Sequence, residues 1–382
     1  FKGGETLNIS TNVGYETQFA SGDNSGLSSL ELGLKGEVIF PRVIFPITFN
    51  ENFFEYSIPK TKTSLGVNYL SRSKLYTLLS GSALFGYSWN ANKYITYEFN
   101  PISVNYTQHT KTSTEFEEIL DDNPFLQQSF DQQFISGLTF SFTYNEMVDS
   151  NDPHQFYLNT TLDVAGNSIS LFGKDGEPDE PKTFFGLQYA QYAKADMDLR
   201  FHLNFGKNKS QTIATRFFAG YGLPYGNSDV IPYVKQYFSG GPYSVRAFRI
   251  RSLGPGTYSA EADEDNNSST YFDQTGNIRL EANVEYRFPI FSFFKGAIFA
   301  DAGNVWNSKS NPSFDNEEDK FTSDFINQLG MGTGIGLHID VQGFVIRFDL
   351  AAPFHDPSLP EGQRWDFKYD EPVLNFAIGY SF

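Results

Sequence analysis

The stretch Arg279-Leu280-Glu281-Ala282-Asn283-Val284-Glu285-Tyr286-Arg287-Phe288 decides the fold. Successive side chains of a strand point to opposite faces. Leu280, Ala282, Val284, Tyr286 and Phe288 therefore share one face, and Arg279, Glu281, Asn283, Glu285 and Arg287 share the other. The second face carries two Glu and two Arg and cannot meet lipid. The first cannot comfortably meet water. Both faces are satisfied in the wall of a membrane barrel with an apolar outside and a wet lumen.

The same split recurs along the chain. Leu138, Phe140, Phe142 and Tyr144 oppose Thr139, Ser141, Thr143 and Asn145, and Leu199, Phe201, Leu203 and Phe205 oppose Arg200, His202 and Asn204. Ile346, Phe348 and Leu350 oppose Arg347 and Asp349. Phe376, Ile378, Tyr380 and Phe382 oppose Asn375, Ala377, Gly379 and Ser381. A soluble β-sandwich also alternates, but its strands are shorter and do not present charge on so many polar faces.

Composition agrees with a barrel. The 382 residues include 40 Phe and 22 Tyr, yet mean hydropathy is −0.37. Aromatic-rich but polar on average fits one lipid face, one wet face and aromatic girdles. No stretch approaches the roughly 18 apolar residues a spanning helix needs, and lipid cannot satisfy exposed backbone, which leaves a closed barrel. The absence of cysteine excludes a disulfide framework and thiolate chemistry. A net charge of −17 argues against nucleic acid as a partner. Phe1 opens neither a signal peptide nor a chain begun at Met, so a fragment or processed form is expected.

The expected fold class is all-β, a transmembrane antiparallel barrel over residues 1–382. Strands are expected at 6–18, 28–40, 62–72, 75–90, 95–108, 133–146, 154–165, 184–205, 211–222, 277–288, 294–304, 326–340, 343–352 and 372–382. Tight turns at Phe288-Pro289-Ile290-Phe291 and Gln342-Gly343 are expected to face the periplasm. Longer loops at 109–132, 223–276, 305–325 and 353–371 are expected outside, with a short helix near Glu115-Phe116-Glu117-Glu118-Ile119-Leu120. Pro41–Lys60 is too long for a tight turn and reads as a periplasmic excursion. The acidic clusters Asp263-Glu264-Asp265 and Glu317-Glu318-Asp319 match no metal-loop spacing and read as solvated loop tips.

The long loop reads Tyr237-Phe238-Ser239-Gly240-Gly241-Pro242-Tyr243-Ser244-Val245-Arg246-Ala247-Phe248, then Arg249, Arg251 and Leu253-Gly254-Pro255-Gly256. Further on stands Phe299-Ala300-Asp301-Ala302-Gly303-Asn304-Val305-Trp306, in which alternation puts Asp301 on the face of Phe299 and Gly303. Glycines at 330, 332, 334 and 336 lie on one strand face and would allow other structure to approach closely.

Together these segments resemble the BamA/TamA superfamily of outer-membrane assembly proteins. The loop is similar to the family's sixth extracellular loop, which folds back into the lumen. The resemblance implies that Arg246 pairs with the inward-facing Asp301, and a two-pronged Arg–Asp contact would hold the loop in one place. Gly240, Gly241, Val245, Ala247 and Phe248 complete the loop motif, and Glu281, Glu285, Arg287, Arg347 and Asp349 line the lumen. Ala247 departs from the pattern, which usually has Gly there. Gly343–Pro353 looks like the family's penultimate strand, and Phe376, Ile378, Tyr380 and Phe382 are similar to the terminal signal of outer-membrane barrels.

The resemblance further implies an outer-membrane protein that inserts client barrels through a lateral seam, without a cofactor or metal. Its implied partners are the outer-membrane bilayer, unfolded outer-membrane proteins and periplasmic or lipoprotein accessory subunits. Within the family the alternatives are a two-partner-type secretion pore or the barrel tail of a fused enzyme. A passive porin would lack the Arg246–Asp301 arrangement. No nucleophile motif surrounds His109, His154, His202, His338 or His355, so no enzyme is expected. His202 and His338 fall on lumen positions and read as polar lining. The family's sixteen strands imply that a first hairpin, and periplasmic POTRA domains before it, lie upstream of Phe1. A closed sheet with its first strand paired to 372–382 would count against the missing hairpin.

Overall fold

The computed structural model describes residues 3–19, 28–44, 56–73, 75–122, 124–131, 134–149, 152–174, 181–258, 274–309, 318–341 and 344–382. Period-two segments form fourteen antiparallel strands in one closed barrel. In chain order these are β1 (Thr6–Phe19), β2 (Ser28–Phe40), β3 (Lys60–Arg72), β4 (Tyr76–Asn90), β5 (Ile95–Thr112), β6 (Phe134–Asn145) and β7 (His154–Ala165). A short hairpin, β8 (Thr183–Phe184) and β9 (Leu187–Gln188), stands apart from the barrel. The wall resumes with β10 (Tyr192–Phe205), β11 (Gln211–Pro224), β12 (Ile278–Phe291), β13 (Phe294–Trp306), β14 (Gly330–Val341), β15 (Phe344–His355) and β16 (Val373–Ile378). A strand of 14 residues such as β12 is about 46 Å long at roughly 3.3 Å per residue, enough to cross a bilayer at the usual tilt.

Burial follows the alternation. Glu281, Asn283, Glu285 and Arg287 of β12 are buried in the lumen, while Val284 is exposed outward. Ile9, Val13, Leu65, Ile298 and Ile335 are likewise exposed on the outer face. In water such a band would be a liability; around a membrane barrel it is the lipid contact.

Several strands differ from their expected extents. The segment expected as 184–205 starts only at Tyr192, because the chain first makes the β8–β9 turn and then carries Tyr189 and Ala190 into a buried position. The tight turn expected at Phe288–Phe291 falls instead at Ser292-Phe293, because β12 continues to Phe291 and pairs there with Phe294. The segment expected from 326 begins with a 3-10 turn at Phe325–Gln328 and becomes a strand at Gly330. The last strand stops at Ile378, where Gly379 adopts a φ of +97° and turns the chain inward.

The barrel closes by pairing β1 with β16 at Gln18–Asn375 and Phe19–Leu374. It joins the first and the last strand of the chain. The seam is narrow: β1 pairs with β2 continuously from Thr6–Ile39 to Thr17–Ser28, but with β16 at those two positions alone. The chain also turns inward after Ile378, so β16 cannot follow β1 back to its start at Thr6.

Two helices lie between β5 and β6, where the sequence indicated one. In α1 (Thr114–Asp122), Ser113 Oγ caps the first turn by accepting from Phe116 N at 3.1 Å. In α2 (Pro124–Asp131), Pro124 occupies a first-turn position where its missing N–H costs nothing. Their apolar residues Phe116 and Phe130 pack on Tyr76, Leu78 and Tyr233, roofing one end of the barrel. Asp263-Glu264-Asp265, Glu317, the Gln342-Gly343 turn and residues 45–55 of the Pro41–Lys60 segment lie outside the described residues.

Candidate functional site: the loop locked in the lumen

Residues 225–258 leave β11 and fold back into the barrel, against the inner wall made by β12, β13, β14 and β15. Gly240 and Gly241 turn the chain at positive φ, and a Cβ on Gly240 would stand 2.2 Å from Arg249 O. The turn presents Arg246 to the wall, fully buried.

Arg246 meets Asp301 of β13 in a two-pronged contact, Nε to Oδ2 at 2.8 Å and Nη2 to Oδ1 at 2.9 Å. Its backbone N also donates to Asp301 Oδ2, at 3.2 Å. The third guanidinium nitrogen donates to Glu285 of β12 and lies 3.7 Å from Asp349 of β15. The guanidinium carbon stacks 3.4 Å from the centroid of Phe299. A buried charge is tolerable when it is paired and its remaining hydrogens are bonded, and Arg246 meets both conditions.

The partners are themselves held. Asn283 Nδ2 donates to Asp301 at 3.0 Å and to the Ser244 carbonyl at 3.1 Å. Arg287 Nε donates to Glu285 at 2.5 Å, and Arg347 donates to Asp349 and, at 2.7 Å, to the Pro242 carbonyl. Ser244 Oγ donates to Glu281 at 2.7 Å, and Glu281 also accepts from Arg216 and Arg279. All five lumen-facing residues singled out from the sequence, Glu281, Glu285, Arg287, Arg347 and Asp349, thus lie in one network around the loop tip.

The apolar half of the tip packs on bare backbone. Val245, Ala247, Phe248 and Leu253 cluster with Phe299 and Ala351. A Cβ on Gly332 of β14 would stand 2.1 Å from Ala247 Cβ, and one on Gly330 would meet Leu253 and Phe248 at 2.6 and 3.0 Å. The alternate-glycine strand is therefore the floor on which the tip rests. Ala247 keeps a negative φ, and Gly332 leaves room for its methyl group.

The tip also grips the last strand. Asn375 Nδ2 donates to the Arg246 carbonyl at 2.8 Å, and the Tyr243 hydroxyl donates to the Ile378 carbonyl at 2.5 Å. Leu374 and Ile378 face outward, as alternation requires. Tyr380 and Phe382 do not: beyond Gly379 they enter the lumen, correcting the expectation of four terminal side chains on one face. Tyr380 Oη donates to Asp340 at 2.8 Å, and Arg287 Nη2 donates to the Phe382 carbonyl at 3.3 Å. Sequence alternation did not show Asn375, Tyr243 or the inward-turned tail as parts of this site. The only signal was Gly379 itself.

His338 is buried beside Asp349, its Nε2 3.7 Å from Oδ1. His355 Nδ1 lies 2.6 Å from the Leu329 carbonyl, and His109 packs on Phe130. Among the described residues no three His, Cys, Asp or Glu side chains are grouped to hold a metal.

A back-folded loop fixed to the wall of a barrel with a narrow seam is a specific arrangement, and the comparisons identify where it belongs. Residues 3–382 match the Omp85 superfamily domain. The chain belongs to the Omp85 superfamily. It is accordingly an outer-membrane β-barrel of BamA-like type, in a superfamily of non-enzymatic assembly and transport proteins. The outer membrane protein assembly factor BamA of Neisseria meningitidis serogroup B is 32% identical over 91 residues, which are 22% of this chain and 10% of that protein. The chain thus matches only a small part of that relative's length. BamA from Haemophilus ducreyi lacking POTRA domains 1-3 superposes with a TM-score of 0.61 at 13% identity, covering 98% of this chain and 75% of that one. CdiB from Acinetobacter baumannii superposes with a TM-score of 0.53 at 10% identity, covering 97% and 59%. At these identities the two structures speak for the shared fold.

Proposed function

We propose that this Omp85 barrel inserts client outer-membrane proteins into the bilayer through the β1–β16 seam, with the Arg246 loop holding the adjoining β12–β15 wall rigid. The narrow seam carries this reading. Most of the β16-facing edge of β1 has no ladder partner, and unsatisfied backbone in lipid is expensive. An edge of that kind is stabilised by an incoming strand, which is β-augmentation. The clients are unfolded outer-membrane proteins, delivered by POTRA domains upstream and by periplasmic or lipoprotein accessory subunits. The BamA match in sequence supports the assembly role.

The test is to close the seam covalently. The chain has no cysteine, so Phe19→Cys with Leu374→Cys introduces a single disulfide at the paired position. The oxidised barrel is expected to lose client insertion and to regain it on reduction. Undiminished insertion by the oxidised form would rule out passage through this seam. The second reading is a two-partner-type secretion pore, favoured by the barrel likeness to CdiB. Secretion runs through the lumen, so the same disulfide would leave it intact, whereas lateral insertion would stop.

A further inference from the structure

We propose that the loop between β7 and β10 is a lipid anchor, with Leu171, Phe172 and Phe185 seated among the acyl chains of the outer leaflet and Lys174 and Lys182 at its anionic headgroups. Phe185 is 91% exposed and Leu171 79%, the two highest values for large apolar side chains among the described residues, and Phe172 is 72% exposed. They converge because Lys174 and Thr183 exchange backbone hydrogen bonds at 2.9 and 3.2 Å, which brings Phe172 across from the Phe185-Gly186 turn.

The direction in which this group leans follows from one ring contact. Phe184 stacks on Phe134, with centroids 5.9 Å apart, and meets Phe185 edge-on at 4.4 Å. Phe134 begins β6 on the face it shares with Leu138, Phe140 and Phe142, the outward lipid-facing side. Its neighbour Ile135 is instead buried with Ala165, Ala190 and Tyr192. The hairpin therefore rests against the outside of the wall and extends the apolar belt, whereas α1 and α2 lie over the mouth. Large apolar side chains at such exposure fit an acyl environment, and exposed lysines beside them fit the phosphates just above it. Loop 166–191 leaves the barrel at the same end as the long back-folded loop, which places the anchor at the outer leaflet. The anchor does not depend on whether the barrel inserts clients.

Because the chain lacks cysteine, one probe can be placed uniquely. Phe185→Cys is labelled with an environment-sensitive fluorophore in the whole barrel, reconstituted into phosphatidylethanolamine–phosphatidylglycerol vesicles with brominated acyl chains. Glu118→Cys, exposed on α1 over the mouth, is the control. The expected result is a blue shift and strong quenching at 185, with neither at 118. Adding Lys174→Gln and Lys182→Gln is expected to reduce quenching in anionic vesicles and to leave it unchanged in zwitterionic ones. Equal quenching at the two sites would overturn the proposal. So would an unquenched label together with disulfide dimers formed by the unlabelled Phe185→Cys variant, which would assign the surface to a second copy of this chain. Heat-modifiable migration on gels verifies that each variant is a folded barrel.

Discussion

The two sides of this barrel are built differently. On β12 to β15, side chains such as Glu285, Phe299, Asp301, Arg347 and Asp349 are buried beneath the loop tip, and β12, β13 and β14 each have a long ladder on both edges. On β1 the residues from Thr6 to Val13 are exposed on both faces, and one edge is paired at two positions only. Cooperative stability depends on buried contacts and protected backbone hydrogen bonds, so it is concentrated on the loop-bearing wall. The side that must yield for a lateral seam to open is the one with least to lose. A barrel of uniform walls would have no preferred place to part.

The largest expected effect breaks the rigid wall. Arg246→Ala leaves Asp301, Glu285 and Asp349 facing one another without their shared guanidinium. Removing one partner from a buried ion pair typically costs about 3–5 kcal/mol. Denaturant unfolding of the barrel in detergent should show a loss of that order, and client insertion should fall with it. Asn12→Ala, on exposed β1, should change stability by less than about 0.5 kcal/mol. Comparable losses from both variants would remove the asymmetry. A cycle with Asp301→Ala should give a coupling of about 0.5–3 kcal/mol, and strict additivity would mean the loop is not held by that pair.

A middle-sized effect tests the glycine floor. Adding a methyl at Gly332 would place it 2.1 Å from Ala247 Cβ. Gly332→Ala is expected to destabilise by about 1–3 kcal/mol, the usual range for overpacking. Ala247→Gly in the same chain should recover most of that loss, while Ala247→Gly alone should be mild. Failure of the rescue would mean that the loop tip does not lie on β14 as described.

The alternation made most of the wall legible, because a period of two survives wherever one face meets lipid and the other a polar lumen. Asp301 could be named from sequence because the motif strand and the parity of Phe299 and Gly303 agree. Glu285, Asp349 and Asn375 could be placed only in the lumen or on the inner face, not at Arg246. Their meeting there depends on how four strands curve round the same loop tip, and no local pattern encodes that curvature. The ends of elements failed for a related reason. Phe376, Ile378, Tyr380 and Phe382 keep their spacing in the sequence, but the turn at Gly379 sends the last two inward. Likewise, apolar residues at 184–190 have strand-like composition yet form a separate hairpin and a buried crossing before β10.

The smallest expected effect sits where the two sides meet. Tyr243, at the loop tip, donates to the Ile378 carbonyl at 2.5 Å, at the end of β16. Tyr243→Phe keeps the ring over Arg347 and removes the hydrogen bond to Ile378. A single hydrogen bond contributes about 0.5–1.5 kcal/mol net, so global unfolding should barely move. The change should appear locally instead, as faster amide exchange in β16 with β12 to β14 unaltered. If the loop also restrains the seam, client insertion should be retained or quickened, because the grip on β16 loosens while the Arg246 contacts stay intact. Uniformly faster exchange round the barrel would show that the tip braces the whole wall. Unchanged exchange in β16 would show that Asn375, through the Arg246 carbonyl, holds the strand by itself.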